Sequence, residues 1–223
     1  MLWPIIYKEW IKLRLVLILS ALTFVAFSLF SVYNLHHLIT TQGSEHVWLA
    51  VMLRDAIFTK TLYWLPLIAG VSLATFQFLP EITSNRIKLT LHLPCDMEKS
   101  IGVMTFFGQA ALLIMSAISM IIVNVGFSSV LADEIVEAHL MTMIPWFLTG
   151  IIAYTLGVFI YLEPTKLRRI LYLILSVLIL RVFFISNIPG AYNKFIIPMV
   201  VCLTLWSTLP LLSIWRYKRG KAS

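Results

Sequence analysis

Charged residues are scarce in this sequence. Only 12% of its 223 residues are Asp, Glu, Lys or Arg, whereas 60% are hydrophobic. Soluble domains are typically about one quarter charged and about half apolar, so the composition excludes an ordinary soluble domain. Long uncharged runs, such as residues 100–132, instead predict one all-α integral membrane domain that covers residues 1–223.

Acidic residues are rarer than basic ones, 10 against 17, and they are missing from the long apolar runs. Transporters driven by an ion gradient usually carry Asp, Glu or His within their spans. Here Arg181 is the one charge that falls inside a predicted span, so a proton- or sodium-coupled transporter is disfavoured. The two cysteines, Cys95 and Cys202, fall in a predicted loop and a predicted span, so no disulfide framework is expected.

Catalytic and metal-binding motifs are also missing. None of the nine glycines belongs to a G-x-x-x-x-G-K-[ST] phosphate loop, so the chain holds no ATPase of that kind. No nucleophile–base pair or pair of carboxylates falls in a plausible pocket, and we expect no enzymatic activity. Histidines near the predicted outer surface show no fixed ligand spacing, so we expect no metal site; they are His36, His37, His46 and His139.

Six stretches are long enough to cross a hydrocarbon core of about 30 Å. They are residues 15–33, 61–80, 100–127, 140–162, 170–187 and 195–215. Thirteen of the 17 basic residues lie in residues 1–14, in the loops 81–99 and 163–169, or in the C-terminal tail. The positive-inside rule therefore places both termini in the cytoplasm, and it explains the net charge of +7 better than nucleic-acid binding does. In the fourth span, Gly150 and Gly157 share one face and suit close helix packing.

Residues 1–14 predict an amphipathic helix that lies in the membrane interface and leads into the first span. At 100° per residue, one face holds Trp3, Ile6, Trp10 and Leu13. The charged residues lie largely off that face. The candidate functional residues of this helix are Trp3, Tyr7, Lys8, Glu9 and Trp10.

The loop at residues 81–99 combines charges with a ridge of leucines. Its charges, among them Glu81, Arg86 and Lys88, exclude it from hydrocarbon, while leucines alternate with polar residues until Pro94. An apolar ridge with mixed charges beside a membrane is typical of a docking surface for a soluble partner. A solvated connector with incidental leucines remains an open alternative. The leucines of the ridge are Leu89, Leu91 and Leu93.

Four polar residues in the predicted spans are candidates for a substrate path: Gln77, Gln109, Asn124 and Arg181. For the three amides, hydrogen bonding between helices is the more usual role. Arg181 has three possible roles: contact with an anionic substrate or lipid group, extension to the outer interface, or pairing with an outer acid such as Glu137. We favour the last two over a substrate contact.

Together these features resemble the membrane subunit of an ABC transporter of the ABC-2 (type V exporter) class, without an ATPase domain. One part of the likeness is Tyr7-Lys8-Glu9-Trp10 ahead of the first of six spans, with both termini inside. The other part is Glu81 followed by Leu89-x-Leu91-x-Leu93-Pro94. The glycine that is usual between the acid and the leucines is replaced by Ser84-Asn85-Arg86.

The resemblance implies a multi-pass permease of a bacterial cytoplasmic membrane, acting as an exporter and as a homodimer in the lipid bilayer. Residues 81–99 would hold a coupling helix that docks on a dimer of separate cytosolic ABC ATPase subunits. ATP and Mg²⁺ would bind in those subunits, and this chain would carry no cofactor and no nucleic acid. A non-transporting membrane scaffold or sensor that docks a cytosolic partner is the alternative. No motif selects a substrate.

Overall fold

The computed structural model describes residues 3–54, 56–83, 97–186, 188 and 190–210, and every regular element in these ranges is helical. Short 3-10 turns occur at Lys60–Leu62 and Asn193–Phe195. The helices are α1 (Trp3–Gln42), α2 (Ser44–Arg54), α3 (Leu65–Thr83), α4 (Met97–Ser128), α5 (Asp133–Leu162), α6 (Lys166–Val182) and α7 (Ile196–Trp206). The predicted all-α class is therefore confirmed for the described residues.

Four segments are long and apolar enough to cross a membrane: Trp3–Gln42, Lys60–Thr83, Glu98–Ser128 and Asp133–Leu162. They contain the first four predicted spans. The fifth and sixth predicted spans correspond to shorter helices, because α6 has 17 residues and α7 has 11. Residues 211–215 of the sixth predicted span, and the basic tail after them, lie outside the described residues.

The predicted interfacial helix is not a separate element. From Trp3 onward, α1 is one helix of 40 residues that passes through Arg14 and Leu15 without a break. It ends at Gly43, whose positive φ of +83° is a conformation that glycine adopts without a Cβ clash. The Gly43 N–H bonds to the carbonyl oxygen of Ile39 at 3.0 Å, which satisfies one of the last carbonyls of the helix.

The inward face of α1 carries polar groups, whereas its exposed residues between Leu15 and Tyr33 are apolar. Buried residues recur every three, four or seven positions, as Glu9, Leu13, Leu17, Phe24, Ser28, Ser31 and Leu35. The Ser28 hydroxyl bonds to that of Ser119 on α4, and the Ser31 hydroxyl bonds to that of Thr61. Trp3 and Leu15, by contrast, are about three-quarters exposed, at 77% and 75%. This distribution suits a helix whose outer side meets lipid, where polar groups must find partners inside the bundle.

Helix α5 is the centre of the bundle, with α3, α4, α6 and α7 packed around it. Its backbone touches that of α3: a Cβ added at Gly70 would overlap the carbonyl oxygen of Gly150, and one at Gly150 would lie 2.5 Å from the Pro66 oxygen. A Cβ at Gly157 would lie 2.9 Å from that of Ala74. These contacts agree with the close packing expected from the spacing of Gly150 and Gly157.

The first turns of α5 differ from the sequence-based expectation. The predicted fourth span begins at residue 140, but the helix begins at Asp133 and takes in Glu134 and Glu137. Acidic side chains are favourable in the first turn of a helix, where they face its positive end. The acidic segment ahead of the apolar run therefore extends the helix.

Helices α6 and α7 lie at the edge of the bundle, and each packs against α5 more than against the other. We call the two helices, with the described residues between them, the α6–α7 hairpin. Ser176 is the one buried residue of α6, and Met199 is the one buried residue of α7. The turn between the helices is attached to the core by Phe184, whose ring lies 4.8 Å from Tyr63 and 4.6 Å from Trp64. The hairpin thus touches the core along one side and leaves its other side free.

Candidate functional site

A buried cluster of charged and polar side chains lies at the end of the bundle where α1 begins and α3 ends. We call it the Glu9 network, and it consists of Glu9, Lys12, Gln77, Glu81 and Tyr154. Glu9, Gln77 and Tyr154 are fully buried, and Glu81 is 4% exposed. Buried charges of this kind require partners, because removal from water costs several kcal/mol per ion.

Lys12 holds the two carboxylates of the network together. Its Nζ lies 2.8 Å from Glu9 Oε1 and 3.1 Å from Glu81 Oε1, and it also donates to the carbonyl oxygen of Gln77 at 3.1 Å. The half-exposed Lys8 adds a second cation, with its Nζ 3.0 Å from the same Glu81 oxygen. With Lys8 included, two acidic side chains are therefore matched by two basic ones.

Gln77 extends the cluster to two more helices. Its Nε2 donates to Glu9 Oε2 at 2.9 Å and to the carbonyl oxygen of Met104 on α4 at 2.9 Å. Its Oε1 accepts a hydrogen bond of 2.6 Å from the hydroxyl of Tyr154 on α5. One amide side chain thereby joins α1, α3, α4 and α5.

Helical spacing explains how the residues meet. Glu9 and Lys12 are three positions apart on α1, and Gln77 and Glu81 are four positions apart on α3, so each pair lies on one face of its helix. Tyr154 fits beside α4 at Gly108, where a Cβ would overlap the tyrosine hydroxyl. The glycine therefore makes room for the phenol that completes the network.

The network combines residues that the sequence assigned to three separate roles. Glu81 was predicted in the docking loop, Lys8 and Glu9 in an interfacial helix, and Gln77 on a substrate path. The structure joins Glu9, Gln77 and Glu81 through Lys12, and Lys8 through Glu81. The other residues of the predicted interfacial helix are on the outer side of α1, where Trp3, Tyr7 and Trp10 are at least half exposed.

The remaining candidate residues lie apart from the network. Gln109 donates to the Ser207 hydroxyl at 3.1 Å and borders a pocket of about 180 Å³ between α4 and the end of α7. Asn124 is exposed on α4, and Arg181 is exposed in the last turn of α6. The predicted docking residues Arg86, Lys88, Leu89, Leu91, Leu93 and Pro94 lie outside the described residues.

Sequence reasoning missed Lys12 and Tyr154 as members of the site. Lys12 follows Glu9 by three positions, and this spacing indicates an ion pair. For Tyr154 the available signal is weaker. It lies among Gly150, Ala153 and Gly157, and small residues around a phenol in an apolar helix indicate a buried hydroxyl that needs a partner.

The outer histidines do not assemble into a metal site. In the part of the chain that the structure describes, no group of three or more His, Cys, Asp or Glu could hold a metal ion. The sequence predicted His139 near the outer surface, but the structure buries it. It is 3% exposed, its ring stacks on Phe58 at 5.7 Å, and its Nδ1 lies 2.8 Å from the carbonyl oxygen of Ile135.

Comparisons of the chain with protein-family models, with curated proteins and with solved structures found no match. The geometry of the Glu9 network and the pattern of the sequence are therefore the grounds for assigning a function.

Proposed function

We propose that the chain is the permease subunit of an ATP-binding cassette transporter of the exporter type. Separate cytosolic ATPase subunits would bind ATP and Mg²⁺ and hydrolyse the nucleotide, and this chain would move the substrate across a bacterial cytoplasmic membrane. In this proposal the chain crosses the membrane six times, has both termini in the cytoplasm and works as a homodimer. The four long apolar helices and the distribution of basic residues support it.

The observation that carries the proposal is the position of Glu81. It lies in the last turn of α3. The part of the predicted docking stretch that the structure does not describe begins three residues later, at residue 84. The Glu81 carboxylate pairs with Lys8 and Lys12 on α1, and Lys12 and Gln77 connect it to Tyr154 on α5. A displacement of the docking loop would therefore reach three long helices through direct polar contacts.

Such a connection is what a permease without its own ATPase requires. The energy must enter through a surface that touches the partner and must pass to the helices around the substrate. Buried ion pairs suit this task better than apolar contacts do, because they keep one geometry and resist sliding. The scaffold alternative needs the same docking surface, but it does not explain why Glu81 is connected to the central helix α5.

The test is a gentle-detergent purification of the tagged protein from its own membrane, followed by mass identification of the subunits that accompany it. We expect a soluble ATPase in stoichiometric amount. Leu91→Asp and Leu93→Asp should release it, because each adds a charge to the apolar ridge. Thr90→Asp is the matched control on the polar side of the same ridge, and it should keep the partner.

Two results would contradict the proposal. A chain that purifies without any nucleotide-binding partner would remove the energy source. Recovery with a partner that lacks a nucleotide site would favour the scaffold or sensor alternative instead.

A partner that is lost equally from Thr90→Asp and Leu93→Asp would show that the leucine ridge is not the contact.

A further inference from the structure

We propose that the α6–α7 hairpin binds an anionic phospholipid, with an acyl chain in an apolar pocket between the two helices and the headgroup phosphate at Arg181. This lipid site does not depend on whether the chain acts as a permease or as a scaffold. It depends only on contact between the hairpin and a bilayer.

The pocket has a volume of about 480 Å³ and lies between the end of α6 and the start of α7. That volume is within the range of small-molecule sites, which is about 300–1,000 Å³. Its walls are mainly apolar side chains, among them Ile179, Val182, Phe183, Ile185, Phe195 and Met199. The hydroxyl of Tyr192, which also lines the pocket, already bonds to the backbone of Val182 and Ser186. The ligand that such a wall accepts is a hydrocarbon chain.

The surroundings of the pocket indicate where that hydrocarbon comes from. The outward face of α6 is a continuous apolar surface, and Leu171, Ile174 and Leu178 are all more than half exposed. An apolar pocket that opens beside such a face is next to the hydrocarbon of a bilayer and not next to water. A membrane lipid can enter it sideways without leaving its own leaflet.

The charges around the hairpin select the headgroup. No Asp or Glu occurs anywhere in residues 164–223. Arg181 is exposed in the last turn of α6, next to Val182 of the pocket wall, and Lys194 is exposed next to Phe195. Both cations therefore lie at the turn between the helices, where a phosphate would sit above an acyl chain in the pocket. Arginine is well suited to bind phosphate oxygens with two parallel hydrogen bonds.

A second copy of the chain fits this surface less well than a lipid does. In a two-fold contact through the hairpin, with the axis along the membrane normal, the basic turns of both copies would lie at the same depth beside the interface. Because the hairpin supplies no acid to match them, like charges would meet in the interface. An anionic lipid neutralises the same charges.

The test is native mass spectrometry of the protein in detergent with phosphatidylglycerol or phosphatidylcholine added at equal concentration. We expect one phosphatidylglycerol molecule to bind in preference to phosphatidylcholine. Arg181→Gln should weaken phosphatidylglycerol binding by about tenfold and Lys194→Gln by less, because arginine can donate two parallel hydrogen bonds to a phosphate. Lys60→Gln, which removes an exposed cation from another turn, should leave the preference unchanged.

Cys202 lines the pocket, so the rate at which it is labelled shows whether a lipid occupies the pocket. In a Cys95→Ser background, phosphatidylglycerol should slow the labelling of Cys202 by N-ethylmaleimide, and Arg181→Gln should abolish that protection. Equal binding of the two lipids, or a preference that survives Arg181→Gln, would overturn the proposal. So would a stable dimer that is cross-linked through Cys202, because a second copy of the chain would then occupy the pocket.

Discussion

Helices α5 and α6 follow each other in the chain and are both rich in apolar residues, yet they differ in their surroundings. In α5, 19 of the 30 residues are buried. In α6, one of the 17 residues is buried, and it is Ser176. Apolar composition therefore shows that a helix can meet lipid, but it does not show whether the helix does so or lies among other helices.

The distribution of small residues accounts for the difference. Helix α5 carries Thr149, Gly150, Ala153 and Gly157, of which Gly150 allows backbone contact with α3 and Gly157 lies against the Ala74 methyl group. In residues 173–180 of α6, every side chain except that of Ser176 is Leu, Ile or Val. The one small residue of that run is also the one that is buried. Small side chains therefore mark the places where two helices approach most closely.

The largest loss of stability is expected in the Glu9 network, which connects α5 to α1 and α3. Glu9→Ala removes one of the two carboxylates that neutralise Lys12 and also takes a partner from the Gln77 amide. Breaking a buried ion pair in this way costs about 3–5 kcal/mol, so we expect a marked fall in the unfolding temperature in detergent. Glu45→Ala, which removes an exposed acid from α2, is the control and should leave the unfolding temperature within error. Equal melting of the two variants would mean that the network does not hold the helices together.

A smaller effect is expected where the backbones of α3 and α5 touch. In Gly150→Ala the new methyl group would lie 2.5 Å from the Pro66 carbonyl oxygen, so the two helices must separate. We expect a loss of about 1–3 kcal/mol in the free energy of unfolding, measured by denaturant titration.

Gly102→Ala provides the matched control for this change. It lies near the start of α4, and a Cβ there would meet no atom within 4 Å. It should be neutral or stabilising by up to about 1 kcal/mol, because alanine favours a helix more than glycine does. If Gly150→Ala were as well tolerated as Gly102→Ala, the close approach of α3 and α5 would be contradicted.

The smallest effect is expected on the outer side of α6. Leu173 is 52% exposed, so Leu173→Ala leaves no cavity in the bundle. We expect a change within about 0.5 kcal/mol in the free energy of unfolding, as for other surface substitutions. A loss several times larger would show that another protein surface covers this side of α6, and the contrast with α5 would then hold only for the isolated chain.

The sequence predicted the helical class and the approximate position of the four long apolar helices, because long uncharged runs have no other stable arrangement in a bilayer. The predicted stretch 100–127 lies within α4, and 140–162 lies within α5. The lengths of α1 and α5 were underestimated, because both helices continue into polar segments. A span is defined by hydrophobicity, but a helix ends where its backbone is capped, as at Gly43.

The Glu9 network could be predicted only in fragments. Periodicity placed Trp3, Trp10 and Leu13 on one face of α1, but in the structure Leu13 points inward and the two tryptophans are exposed. The rotation of α1 is decided by partners that are distant in sequence, because Gln77 and Glu81 on α3 attract Glu9 and Lys12. No periodicity within residues 1–14 contains that information. Acids are absent from the long apolar runs, but α1 and α3 extend beyond those runs and bring Glu9 and Glu81 into the bundle.

The unbroken length of α1 has a further consequence. At 1.5 Å per residue its 40 residues measure about 60 Å, about twice the thickness of a hydrocarbon core. A rod of that length turns a small rotation into a large displacement, since a tilt of about 10° around its midpoint moves each end by about 5 Å. One end carries Glu9 and Lys12, and the far end carries His36, whose Nε2 lies 3.5 Å from the Ser129 hydroxyl. A force on the end with Glu9 and Lys12 would therefore displace the end with His36 in the opposite direction, without a change in the conformation of the helix.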